Sequence, residues 1–319
     1  MKRLKFILSL LVVLALLSGL FAKELKQKPE ISKQEFLFDT LCTITVYSKK
    51  DADAINKAFD TAAHLHRLAD FYDSGSDVTK INNAKSGVPV VVDADIMNML
   101  ILAKEVYDKS DGAFDVTIAP ISKLWKFGEE YPLPPDDLEI AKRLPLVGSD
   151  KLILDASKMT VTKKEGSMQI DLGGIAKGYA ADKAATLLQG LGVKAALIDF
   201  GGNIVALGKN PKTENNKWRI GLQTPYAPTG EYSKVIETDG GAVVTSGTYQ
   251  RYFEYGEAKY HHIIDPKTGA PSVQSYDSVT VFADSAALSD CLATAIFVMG
   301  EKSGTELADL YNAKVYFLP

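Results

Sequence analysis

From residue 36 onward, apolar positions recur at every second residue or at every third and fourth, and these two periods mark out strands and helices. Residues 36–47 (FLFDTLCTITVY) are rich in β-branched and aromatic side chains and predict a strand or hairpin. Residues 53–72 predict an amphipathic helix with Ile55, Phe59, Ala62, Leu65 and Ala69 on one face, followed by a loop at 73–77. A short strand at 88–92 precedes a second amphipathic helix at 95–108. Pro132, Pro134, Pro135 and Pro145 make 124–148 a rigid, irregular excursion. Strands are expected at 152–162 and 168–172, then a helix at 179–191 with Ala180, Ala184, Leu187, Leu188 and Leu191 at helical spacing. The remainder reads as strands at 195–199, 218–223, 234–238, 243–246, 249–255, 259–264 and 278–282, and a helix at 284–299.

The first 22 residues carry a different pattern. Lys2, Arg3 and Lys5 precede a run at 6–17 that is apolar except for Ser9, and Ala22 stands where a cleavage residue belongs. The run is short against the roughly 20 residues of a membrane span, so we read 1–22 as a signal peptide, with an uncleaved anchor as the alternative. No cysteine follows it, so a lipid anchor is not expected. Residues 23–35 are polar and expected to be a flexible lead-in to a folded unit at 36–319. A hydrophobic content of 46% and a charged content of 24% are those of a globular protein. The net charge of −4 and the lack of a later basic run argue against a nucleic-acid binder. Cys42 and Cys291 are compatible with one disulfide or with two buried thiols. No C-x-x-C is present, which removes dithiol redox chemistry and a zinc site.

Candidate chemistry begins at Asp171-Leu172-Gly173-Gly174-Ile175-Ala176-Lys177-Gly178. A strand end, a glycine turn and a helix start would expose backbone amides and a positive dipole end to an anion, and Lys177 adds a full charge. The spacing is neither G-x-G-x-x-G nor a P-loop, since Tyr179 and Ala180 replace Lys-Ser/Thr. Two readings stand level: a phosphate cradle, or a turn that packs a helix on a sheet. Phe114 and Asp115 lie in a turn-rich stretch, where an aromatic beside a carboxylate suits a nucleobase, although a loop packed by Phe114 is the simpler account. Gly201-Gly202-Asn203 reads as a tight turn, with a second backbone approach to a ligand as the alternative. His261 and His262 are neighbours on a strand and so face opposite sides. His64 and His66, two apart on a helix, are structural or solvated. Asp290 and Thr294 are four apart on the last helix and share a face. A carboxylate and a hydroxyl suit Mg²⁺, while an Asp290 in solvent and a Thr294 bonded back to its own helix is the plainer reading.

Taken together and in order, GAFD-V-T, DLGGIAKGYAAD, GGN, TSGTYQRYF, HHIIDPKTG and the Asp290–Thr294 helix resemble the ApbE family, the FAD:protein FMN transferases. The chain departs from the family at Phe38-Asp39-Thr40, where Met-Gly-Thr is common. The resemblance implies an α+β fold of mixed sheet and helices in two merged lobes, with FAD as substrate between them. It implies Mg²⁺ on Asp290, Thr294 and the Gly174 carbonyl, and FAD contacts at Phe38, Tyr72, Asp115, Gly173, Gly174, Lys177, Ser246, Gly247 and His262. His262 and Lys177 become the catalytic residues. The activity implied is FMN transfer from FAD to a threonine or serine of an acceptor flavoprotein, releasing AMP. Alternatives are an FAD pyrophosphatase giving FMN and AMP, and a non-catalytic periplasmic FAD-binding protein. The implied partners are flavin-bearing subunits of membrane redox complexes, and the implied place is the periplasm or the outer face of the cytoplasmic membrane.

Overall fold

The computed structural model describes residues 30–319, so the signal segment at 1–22 and most of the lead-in lie outside the described residues. β1 (Ile31–Leu37) and β2 (Thr40–Val46) form a hairpin. Its two-residue turn places Phe38 and Asp39 at φ 53° and 57°, the left-handed pair that such a turn demands and that Asn-Gly usually supplies. The hairpin begins at Ile31, inside the stretch expected to be loose. α1 (Ala52–Ala69) follows and buries Ile55, Phe59, Ala62 and Leu65, the apolar stripe legible in the sequence. α2 (Asp77–Asn83) replaces the end of an expected loop, because the Ser76 hydroxyl caps it by accepting the Thr79 amide. β3 (Val90–Val91) leads to α3 (Ala94–Lys109), capped by Asp93. Beyond α4 (Ala119–Ser122), the proline-rich excursion contains α5 (Asp137–Arg143), capped by Asp136. The expected strand at 152–162 is a hairpin of β4 (Leu152–Asp155) and β5 (Thr160–Lys163).

The segment 168–172 is not a strand. Met168, Ile170 and Leu172 alternate as a strand's would and are buried, yet the backbone pairs with a side chain. Asn82 accepts the Ile170 amide at 2.7 Å and donates to the Ile170 carbonyl at 3.0 Å. The Lys163 ammonium, itself buried, donates to the carbonyls of Asn82, Gly166 and Met168 at 2.7, 3.0 and 2.8 Å. Side chains thus do the work of a neighbouring strand and deliver the chain to α6 (Ala176–Gly190).

β6 (Ala195–Phe200), β7 (Asn203–Gly208), β8 (Trp218–Gln223), β9 (Tyr232–Thr238), β10 (Gly241–Gly247), β11 (Tyr252–Tyr255), β12 (Ala258–His261) and β13 (Ser278–Ala283) come next. α7 (Ala286–Met299), α8 (Glu301–Leu310) and β14 (Lys314–Leu318) complete the fold, the last two unmarked by any expectation above. The main sheet runs β1-β2-β6-β7-β10-β13-β14 with every neighbouring pair antiparallel. The β8–β9 hairpin covers one face through Trp218, Ile220, Leu222 and Ile236. On the other face Ile44, Val46, Ile198 and Val244 meet α1 and α6, while Val279 and Val281 meet α7. The fold is α+β: an antiparallel framework with helices layered on one side of the main sheet.

α7 is buried almost all round, because α6, α8, α3 and the sheet surround it. Its closest neighbour is α6. A Cβ on Gly178 would lie 2.3 Å from the Ala286 carbonyl oxygen, so only glycine lets these helices cross in contact. The Asp182 carboxylate, on α6, accepts the Ala286 and Ala287 amides at 2.8 and 3.0 Å and the Ser285 hydroxyl at 2.7 Å, capping α7. Cys42 and Cys291 are buried free thiols, with Cys42 pushed up to about 12 by loss of water. Gly178→Ala is expected to destabilise the fold by about 3 kcal/mol, at the upper end for overpacking, because backbone faces the new methyl. Urea denaturation checks this; unchanged stability would show that the helices can part.

Candidate active site

The glycine turn lies between two motifs far apart in the chain. Below it, a Cβ on Gly174 would come within 2.9 Å of the Phe114 ring, so the ring fixes the height of the turn. The Asp171 amide donates to the Val116 carbonyl at 2.7 Å, and the Asp171 carboxylate accepts the Gly173 amide at 2.7 Å. The turn is held from both sides before α6 begins. Lys177, in the first turn of α6, donates its ammonium to the Gly173 carbonyl at 2.8 Å.

Across from the turn stands Asp290 of α7, 4% exposed. Its Oδ2 accepts the Gly178 amide at 3.1 Å and lies 3.6 Å from the Lys177 ammonium. The Gly178 amide belongs to the first turn of α6, so no helical carbonyl is available to it. Asn203, with its amide nitrogen turned to the carboxylate, donates to both oxygens at 3.2 and 3.1 Å. Burial raises the Asp290 pKa, while Lys177 and the Gly178 amide pull it down. The solvated reading of Asp290 is thereby excluded. One helical turn on, the Thr294 hydroxyl lies 3.2 Å from the Ser246 hydroxyl at the end of β10. It faces the sheet and not the backbone of α7. A carboxylate and hydroxyls beside a turn rich in carbonyls are hard oxygen donors, which fits Mg²⁺ better than Zn²⁺.

His262 follows β12. Its backbone amide and its ring Nδ1 both lie 3.1 Å from the Arg251 carbonyl. A carbonyl only accepts, so in the neutral ring Nδ1 carries the proton and Nε2 keeps its lone pair. Loss of water, then the Arg251 charge, with smaller contributions from His261 and Lys177, push the His262 pKa down to about 4. His261 points the other way. It is buried, with Nε2 2.9 Å from the Ser272 carbonyl and its ring edge-on to Phe297. Gly247 must be small because a Cβ there would lie 2.5 Å from the Tyr249 ring.

Lys177, Asp290, Gly173, Gly174, Thr294, Ser246 and Gly247 are therefore one neighbourhood, and the charge of Lys177 reaches His262. Phe38, Tyr72 and Asp115 are placed differently. Asp115 is buried and its carboxylate accepts from the Thr117 amide and hydroxyl and from the Ser149 hydroxyl and amide, at 2.8, 2.7, 2.6 and 3.2 Å. It organises the loop that carries Phe114 and Val116 to the glycine turn. Phe38 is half-buried with its ring edge-on to His66, 5.1 Å between centroids, and Tyr72 is 84% exposed. No hydrogen bond or ion pair among the described residues links these three to Lys177, Asp290 or His262. Asn203, Gly178 and Asp182 were not marked as site residues. Each acts through a partner about a hundred residues or less away in sequence, and only the GGN and GYAAD strings hint at them.

The ApbE family model matches residues 38–317 of this chain. The FAD:protein FMN transferase of Treponema pallidum (strain Nichols) is 34% identical over 305 residues, covering 91% of this chain and 84% of that protein. The protein of the same name from Klebsiella pneumoniae (strain 342) is 35% identical over 261 residues, covering 82% and 80%. Among solved structures, the ApbE protein of Thermotoga maritima superposes with a TM-score of 0.82 at 31% identity, covering 91% of this chain and 94% of that one.

The folded pKa of His262 lies below the ordinary value of about 6.5, so its neutral form is the one folding favours. Its contribution to stability is full above pH 6.5 and is lost as pH falls toward 4. A proton NMR titration of the ring is expected to show its midpoint near 4, and a midpoint near 6.5 would place the ring in water.

Proposed function

The chain belongs to the ApbE family, and from that premise we propose that it is an FAD:protein FMN transferase whose acceptor is a threonine or serine hydroxyl. The observation that carries the mechanism is the pairing of a desolvated Asp290 with Lys177 and the glycine turn, opposite a neutral His262. Asp290, Thr294 and the Gly174 carbonyl would hold Mg²⁺. When bound, the metal supplies charge neutralisation at the diphosphate, which phosphoryl transfer requires more than covalent help.

The residues present have distinct tasks. The Lys177 ammonium, tethered by the Gly173 carbonyl at 2.8 Å, offers positive charge to the diphosphate oxygens. His262 Nε2 takes the proton of the acceptor hydroxyl as its oxygen attacks the FMN-side phosphorus. The bond from that phosphorus to the bridging oxygen breaks, and AMP leaves with that oxygen. Arg251 keeps the ring aligned through its carbonyl. A pKa of about 4 makes His262 neutral at physiological pH, and the negative charge of bound FAD draws it upward toward a useful base. Water in place of the hydroxyl gives FMN and AMP, so transfer and hydrolysis differ only in the nucleophile.

We place the protein on the outer side of the cytoplasmic membrane, on the strength of the basic and apolar pattern at 1–22. Its acceptors are flavin-bearing subunits of membrane redox complexes, a reading that rests on the family alone. Incubation with FAD and Mg²⁺, with and without a candidate acceptor, separates the cases. A flavin-fluorescent acceptor band with AMP supports transfer, AMP without acceptor supports hydrolysis, and neither product supports storage. His262→Ala is expected to keep FAD affinity and lose about 10²–10⁴-fold in transfer. Asp290→Ala is expected to abolish Mg²⁺-dependent turnover; wild-type rates that still require Mg²⁺ would remove Asp290 from the site.

A further inference from the structure

The β11–β12 hairpin stands apart from the main sheet as a two-stranded ladder, and the outer edge of β11 is unpaired. The His262 amide donates to the Arg251 carbonyl, and Tyr252 pairs with His261 in the next register position. Antiparallel ladders alternate bonded and non-bonded pairs, so the amides and carbonyls of Tyr252 and Glu254 point away from β12. Nothing among the described residues accepts or donates there. An open ladder edge is a template for another strand.

The start of β11 lies beside the candidate site, since Arg251, one residue before Tyr252, holds His262 by its carbonyl across the ladder. The face beside the edge is built for contact. Tyr226 packs edge-on against Tyr252 at 5.6 Å, and the Lys259 ammonium lies 3.8 Å from the Tyr226 ring centroid and 4.7 Å from that of Tyr252. Tyr226 has a φ of 59°, a left-handed conformation that a bulky residue holds only when its surroundings force it. Its hydroxyl is fixed by Thr248 at 2.8 Å.

We propose that the acceptor protein docks by adding an extended segment as a third strand on β11, with main-chain bonds to Tyr252 and Glu254, and that the segment continues past Arg251 to bring the reactive hydroxyl to His262. This rests on the transferase reading above. In such docking main-chain bonds give affinity, and the Tyr226–Lys259 face reads alternate side chains.

The test uses short synthetic peptides of random sequence around one fixed threonine, with FAD and Mg²⁺ and the full chain. Covalent FMN is read by mass, and FAD affinity by quenching of flavin fluorescence. Glu254→Pro removes the outward donor while leaving the β11–β12 bonds intact, and proline is tolerated at such an edge. It is expected to slow peptide modification about tenfold or more, the worth of one to two hydrogen bonds, with unchanged FAD affinity. Glu254→Ala should match wild type. Equal rates in Glu254→Pro and wild type would overturn the proposal. Hydrogen exchange on the unaltered protein gives a second measure that does not depend on the variant folding. With a threonine-to-valine version of a modified peptide, the Tyr252 and Glu254 amides should gain protection, and unchanged exchange would overturn docking on this edge. Release of AMP with no peptide modified would also overturn it while leaving the chemistry of the site standing. A protein that neither binds FAD nor releases AMP would remove the transferase reading itself.

Discussion

Two helices each secure the N-terminal end of the other, and the site depends on that exchange. Asp182 of α6 caps the opening amides of α7, while Asp290 of α7 accepts the Gly178 amide in the first turn of α6. Unpaired amides at a helix start are stabilised by a carboxylate through both hydrogen bonds and dipole. The exchange works only at contact distance, which is why Gly178 meets the Ala286 carbonyl with no room for a methyl. Structural and chemical roles therefore share the same atoms. The carboxylate that joins the helices is also the one that faces the glycine turn and Lys177.

The electrostatics follow from this packing. Asp290 has lost its water, which raises its pKa, while Lys177 and the Gly178 amide pull it back and Asn203 donates to it. Such a carboxylate attracts further positive charge, and the adjacent hydroxyls of Thr294 and Ser246 are donors of the type that a hard cation selects. His262 is biased the other way. Desolvation and neighbouring cations hold it neutral, and the Arg251 carbonyl fixes which nitrogen is free. A cation-seeking pole and a neutral base set side by side are what a phosphoryl transfer to a hydroxyl asks of a protein.

Much of this was legible in the sequence. The helical period of α1, α3, α6 and α7 placed these elements correctly, and the i, i+4 spacing put Asp290 and Thr294 on one face of α7. The opposite facing of His261 and His262 followed from strand geometry alone. What escaped depended on long-range partners. Residues 168–172 alternate like a strand, yet their partner is the Asn82 side chain, which no local pattern reveals. Asp115 read as a carboxylate beside an aromatic in a turn-rich loop, and no local pattern shows that Ser149 and Thr117 donate to it. α8 spans ten residues and β14 five, and neither was anticipated, although Gly304, Leu307 and Ala308 give α8 a buried face. Asn203 read as the end of a turn, and only the sheet brings it against Asp290.

The central claim is that Asp290 and the glycine turn grip the diphosphate of FAD through a shared cation. Phosphorus NMR of FAD bound to the protein, with Mn²⁺ replacing Mg²⁺, tests it most directly. The account predicts strong paramagnetic broadening of both diphosphate signals in the wild type and its loss in Asp290→Asn. Sharp diphosphate signals in the wild-type complex with Mn²⁺ bound would contradict it.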